Sequence, residues 1–133
     1  MHHAGSGRAL HLSSPSSTDE IAAKLKQHLG VDTLRIAEPA NAAAHHEIAA
    51  CCPGAGGSLI SEAQRCGATL FVTGEMRHHD LLAAGERGMT VILAGHTNSE
   101  RGYLPILQQR LSSLMADCVF SVSRTDVALW TSR

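Results

Sequence analysis

The feature that most restricts how this chain can fold is an alternation running from Glu47 to Leu111. Short apolar runs are each followed by a polar or glycine-rich turn and then by a stretch of helical periodicity. Glu47–Cys52, Leu70–Thr73 and Val91–Leu93 read as strands. Helices are predicted from Ser58 to about Cys66 with Leu59, Ile60 and Ala63 inward, from Asp80 to Arg87, and from Ser99 on through Leu104, Leu107 and Leu111. Gly67 and Gly88 stop the first two, and Ser99 is expected to cap the third. Strands alternating with helices pair in parallel through crossover connections, so the expectation is an α/β fold: a mostly parallel sheet flanked by helices in a three-layer-like arrangement.

The flanks add antiparallel edges. Ser17 or Thr18, with Asp19 and Glu20, opens a helix whose apolar positions Ile21, Ala22, Leu25 and Leu29 keep helical spacing and which Gly30 ends. Thr33–Ala37 reads as a strand, joined through a turn containing Pro39 and Asn41 to Glu47–Cys52, its expected neighbour. Cys118–Val122 and Val127–Trp130 read as final strands. The Gly/Ser-rich residues 1–16 are expected to be a flexible lead or linker, with a short strand fitting only Arg8–Leu12, and residues 17–133 a single domain. With 133 residues there is material for one core, and aromatic content of 3% leaves that core to Ala, Val, Leu and Ile.

Composition narrows function mainly by exclusion. A formal charge of −1 offers no general attraction to nucleic acid or to an anionic membrane. No apolar run approaches the roughly 20 residues a membrane helix needs, and Met1–Gly7 lacks a signal-peptide core, so a soluble, cytoplasmic protein is expected. Cys51, Cys52, Cys66 and Cys118 form no C-x-x-C pair and are read as reduced thiols, Cys51 and Cys52 packing on opposite faces of one strand.

Chemistry gathers at the carboxyl ends of two successive predicted strands, the edge where open α/β sheets usually bind ligands. One delivers Glu75, His78, His79 and Asp80; the next delivers His96 and, four residues on, Glu100. Nitrogen and oxygen donors of this kind suit Zn, Mn, Fe, Co or Ni. The alternative reading is a set of surface loop residues. Adjacent helical residues point about 100° apart, so His78 and His79 do not face one ion together, and Asp80 serves helix capping as readily as catalysis. The PGAGGS segment, with Gly54, Gly56, Gly57 and Ser58, precedes a helix and can expose backbone N–H groups to a phosphate or other anion. It lacks the lysine of a P-loop, and a plain tight turn with Ser58 as cap is the preferred reading.

The order CCPGAGGSLI, VTGEMRHHD, VILAGHTNSERG resembles the carboxyl-terminal half of the Nif-three-like family, also described as GTP cyclohydrolase one, type two homologues. The second and third forms are most similar to the family's eukaryotic-type members. The resemblance implies a duplicated α/β protein assembled as a ring-shaped homo-oligomer, with two divalent metal ions held between its halves. It implies that His96 and Glu100 are this half's metal ligands, and that Glu75, His79 and Asp80 belong to a polar cluster with second-sphere or substrate roles. It further implies a metal-dependent hydrolase of cyclohydrolase type acting on a nucleotide-like molecule, with Glu100 or Glu75 handling protons. The family's remaining ligands come from an amino-terminal half with a His-His-Pro motif, which His45-His46-Glu47 does not reproduce. The site in this chain is therefore expected to be incomplete, and to need that half, self-association or another partner. Two other outcomes follow from the same features: a non-enzymatic interaction module with a transcriptional-coactivator-type partner, or a phosphate-ligand sensor using PGAGGS.

Overall fold

The central strands of the sheet alternate their side chains between two separate apolar layers. A computed structural model describes residues 5–126 of the chain. In chain order the elements are β1 (Arg8–Ser16), α1 (Thr18–Leu29), β2 (Arg35–Ala37), β3 (His46–Ala55), a 3-10 turn (Gly57–Leu59) leading into α2 (Ile60–Arg65), β4 (Leu70–Glu75), α3 (His78–Glu86), β5 (Thr90–Leu93), α4 (His96–Arg101) and α5 (Leu104–Leu114). The five strands lie in the order β1-β3-β4-β5-β2. β3, β4 and β5 run parallel, and β1 and β2 are antiparallel at the two edges.

Period-two alternation divides the core. Ala50, Cys52, Phe71, Val91 and Leu93 face Ile60 and Ala63 of α2 and Ala84 of α3. Ala49, Leu70 and Ile92 face the other way, toward Ala22 of α1, with Ile21 and Leu25 packed around them. Both parallel crossovers cover one face and α1 covers the other, giving three layers as the pattern implied. Burial of each large side chain, such as Phe71 or Leu70, stabilises the fold by about 1.5–3 kcal/mol.

Helix α1 begins where expected: Ser17 accepts from the Glu20 amide, Glu20 accepts from the Ser17 amide, and Gly30 closes the helix with φ +66°. At the amino edge of the sheet His46 is fully buried between two threonines. Thr18 donates to Glu38 (2.6 Å), so its 3.1 Å contact with His46 Nε2 has the imidazole N–H donating. Nδ1 is then left to accept from the Thr69 hydroxyl at 2.8 Å. Burial holds the His46 pKa below its ordinary value.

Several expectations change. The stretch read as linker carries a nine-residue edge strand, β1, because its backbone finds partners along β3 from Arg8↔Cys51 onward. β2 does not pair with β3; β1 and β4 occupy both sides of β3, and β2 lies against β5 (Ile36↔Ile92). Pro15 lies near the end of β1, where a missing N–H is tolerated because the strand is at an edge. Cys118–Val122 is not a strand; the Phe120 carbonyl accepts from the Gln108 side chain (2.7 Å) in place of a ladder bond. The predicted strand Val127–Trp130 falls outside the described residues. All four cysteines are free, Cys52 buried and Cys51 half-buried.

Candidate functional site

The carboxyl end of β5 turns sharply. Backbone bonds to β4 continue two residues past the strand, from the Ala94 amide to the Thr73 carbonyl and from the Gly95 amide to the Gly74 carbonyl, both 2.9 Å. Gly95 then takes φ +90°, a conformation open to glycine, and α4 starts at once with His96. Ser99 is therefore inside the helix and not its cap: its hydroxyl donates back to the His96 carbonyl (2.7 Å). α4 ends at Arg101 and α5 begins separately, since Pro105 has no N–H to bond the Arg101 carbonyl four residues back.

Four residues apart on α4, His96 and Glu100 share one face, with Nε2 and Oε1 3.4 Å apart. The other ring nitrogen, Nδ1, donates to Glu75 Oε1 at 3.0 Å from the end of β4. One imidazole thus stands between two carboxylates. The Glu75 hydrogen bond raises the His96 pKa above its ordinary value, burial opposes it, and the charges of Glu100 and Glu75 reinforce it.

Glycines bring these groups together. A Cβ on Gly54, whose φ is +69°, would lie 2.5 Å from Glu100 Oε1 and 3.2 Å from His96 Nε2. At Gly74 a Cβ would meet Ser99 Oγ at 2.6 Å, the Gly54 carbonyl at 2.7 Å and His96 Cα at 2.8 Å. β3, β4 and α4 therefore approach at backbone distance. Two hydroxyls lock the approach: Ser99 accepts from the Gly54 amide (2.9 Å), and Thr73 accepts from the Gly56 amide (3.0 Å) while donating to the Gly54 carbonyl (3.1 Å). The sequence offers Ser99 only as a helix cap and Thr73 only as the end of a strand, neither as a link between β3, β4 and α4. The signal present was a threonine beside glycine at the end of one strand, in VTGE, and a run of glycines after another, in CPGAGG.

The donor set suits a divalent ion in part. Two ligands each about 2.0–2.2 Å from a shared tetrahedral ion stand about 3.3 Å apart, close to the observed 3.4 Å between Nε2 and Oε1. Both atoms border the space that Gly54 leaves by lacking a side chain. Among the described residues, however, no group of three or more His, Cys, Asp or Glu side chains is placed to hold a metal.

The remaining predicted residues are distributed differently. A cleft of about 390 Å³ has Ser58, Glu75, Met76, Arg77 and Asp80 on its walls; it meets the His96 cluster through Glu75, and neither His96 nor Glu100 lines it. Asp80 accepts from Arg77 Nε (3.1 Å) and presses against Gly57, where a Cβ would lie 2.7 Å from Oδ2. His78 and His79 are exposed at the start of α3, and His79 stands 3.6 Å from Asp80 rather than beside His96. The helix there begins at His78, two residues earlier than predicted. Ser58 makes no side-chain cap, because the 3-10 turn precedes α2. The amides of Gly54 and Gly56 are committed to Ser99 and Thr73, which withdraws these two from the anion role considered for PGAGGS.

Protein NIF3 homolog of Schizosaccharomyces pombe is 36% identical over 110 residues, covering 82% of this chain and 38% of the relative. NGG1-interacting factor 3 of Saccharomyces cerevisiae is 32% identical over 117 residues, covering 85% of this chain and 39% of the relative. The chain thus spans well under half the length of these relatives. In fold it is similar to a crystal structure of a Bacillus cereus protein related to NIF3, with a TM-score of 0.79 at 22% identity over 97% of this chain and 36% of that one. The family model described as Duf34/NIF3 (NGG1p interacting factor 3) matches residues 1–128, and the chain belongs to that family.

Proposed function

We propose that this chain carries one side of a divalent-metal site, with His96 Nε2 and Glu100 Oε1 as ligands, in a metal-dependent hydrolase acting on a nucleotide-like small molecule. The observation that carries the reading is the 3.4 Å separation of those two atoms over the gap left by Gly54. When bound, a Zn, Mn, Fe, Co or Ni ion supplies Lewis acidity and lowers the pKa of a coordinated water to about 7. The chain's own residues do the rest. Glu100 orients toward the same point as His96, Ser99 ties α4 to β3, and the cleft beside Glu75 has the size of a small-molecule site. Glu75 also lines that cleft, and its second oxygen, not used by His96, can take a proton from a nucleophile bound there. Since zinc-like catalytic sites have about three protein ligands, the coordination is completed by residues beyond these two, from a second copy or from the further length that the relatives have.

The test is metal uptake followed by turnover. The chain is dialysed against each candidate metal, its bound metal is measured by mass spectrometry, and purine nucleotides are assayed for ring-opening hydrolysis. His96→Ala is expected to abolish uptake and any turnover together. Metal bound equally well by His96→Ala ends the proposal.

A second reading has its own observation. Helix α5 has no buried residue, and Tyr103, Ile106 and Leu107 on its outer side are 46%, 47% and 36% exposed. Such a patch suits protein contact, and interaction is what the name of the yeast relative records of that protein. In this reading the chain is an interaction module, and a metal-free protein that still self-associates or captures a defined partner through α5 favours it over the hydrolase.

A further inference from the structure

A neutral imidazole has a single N–H, and at His96 two carboxylates compete for it. Glu75 Oε1 lies 3.0 Å from Nδ1, within the usual N–H···O range of about 2.7–3.2 Å, whereas Glu100 Oε1 lies 3.4 Å from Nε2, beyond it. The two acids also differ in how firmly they are placed. Glu75 projects from the last residue of a strand whose backbone is fixed on both sides by parallel neighbours. Glu100 projects from a six-residue helix, and the two carboxylates are similarly exposed, 61% for Glu75 and 52% for Glu100, so the difference lies in the backbone that carries each. The geometry points to Glu75 as a positioning residue: it holds His96 in the Nδ1–H tautomer and so keeps the Nε2 lone pair turned toward Glu100 and the space above Gly54.

This is a different task from the proton transfer assigned to the second Glu75 oxygen, and it acts through His96 alone. A histidine that binds metal through one nitrogen generally donates its other N–H to a carboxylate, carbonyl or water, which settles the tautomer before the ion arrives. The tautomer is a property of the metal-free chain. Its consequence for affinity rests on the metal reading above.

The test separates the two. The chain is labelled with 15N-histidine, and the His96 ring nitrogens are assigned in metal-free protein at a pH where the imidazole is neutral. The wild type, Glu75→Gln, Glu75→Ala and Glu100→Gln are compared. A glutamine carbonyl can still accept from Nδ1–H, so the wild type and Glu75→Gln are expected to show the Nδ1–H form. Glu75→Ala is expected to shift toward the Nε2–H form, and Glu100→Gln to leave the tautomer unchanged. Titration with Zn²⁺ then reads the consequence: Glu75→Ala is expected to weaken binding about 10–100-fold, with Glu75→Gln recovering part of the loss. If Glu75→Ala keeps the Nδ1–H form, the positioning role is overturned. If the tautomer responds as stated but the wild type takes up no metal, the positioning role stands and the metal-site reading falls.

Discussion

At the scale of single residues, the least legible feature was the one with the clearest physical consequence. His46 stood in the sequence as half of a histidine pair, and its partners Thr18 and Thr69 lie 28 and 23 residues away. Nothing local marks it as buried. Because its folded pKa is lowered, the unfolded chain binds the proton first as pH drops below the ordinary histidine value of about 6.5. The stabilising contribution is therefore present above that value and lost as pH falls through the lowered folded pKa. Urea midpoints of the wild type are expected to fall between pH 7 and pH 5, and those of His46→Gln to fall less, since Gln can bridge both hydroxyls without titrating. Equal slopes in the two proteins would remove the assignment. Ser17, by contrast, was readable as a cap from its spacing to Glu20, and Ser17→Ala is expected to cost about 1 kcal/mol in the same measurement.

At the scale of elements, the alternation of strands and helices was visible because apolar period and glycine punctuation are local signals. The sheet was anticipated as mostly parallel with antiparallel edges, and it is. What could not be read was which strand takes which edge. Adjacency in sequence suggested β2 beside β3, but β1 fills the side of β3 that β4 does not, and β5, distant in the chain, offers the edge that β2 takes. The site followed the same division. His96 and Glu100 come together by helical spacing, whereas their contact with Glu75 and the two glycines depends on three elements meeting. Those glycines are expected to be unequal. Gly74→Ala places a methyl against backbone atoms of Gly54 and His96 that cannot swing aside, and is expected to destabilise by about 1–3 kcal/mol. Gly54→Ala meets the movable end of Glu100 but strains a positive φ, costing about 1–2 kcal/mol, and it fills the space between the two proposed ligands. Chemical denaturation with metal titration checks both, the second variant being expected to lose metal binding out of proportion to its stability loss.

At the scale of the whole molecule, the two apolar layers account for the sheet, α1, α2 and α3, while α5 contributes nothing buried. Among the described residues no helix is long and apolar enough to cross a membrane. The exposed apolar side chains of α5 form a surface that a protein contact would cover. The double variant Ile106→Glu, Leu107→Lys is expected to change monomer stability by no more than about 0.5 kcal/mol per position, while reducing any concentration-dependent mass seen by light scattering. A full loss of folding would show instead that α5 belongs to the core. The edges of the sheet set a limit on how such assembly can proceed. β2 is three residues long, and β1 carries Pro15 with a break in register after His11, so neither margin offers a long, regular row of amides for another strand to dock on. Blunted in this way, the margins discourage one copy from adding to the next in a fibrous, open-ended stack.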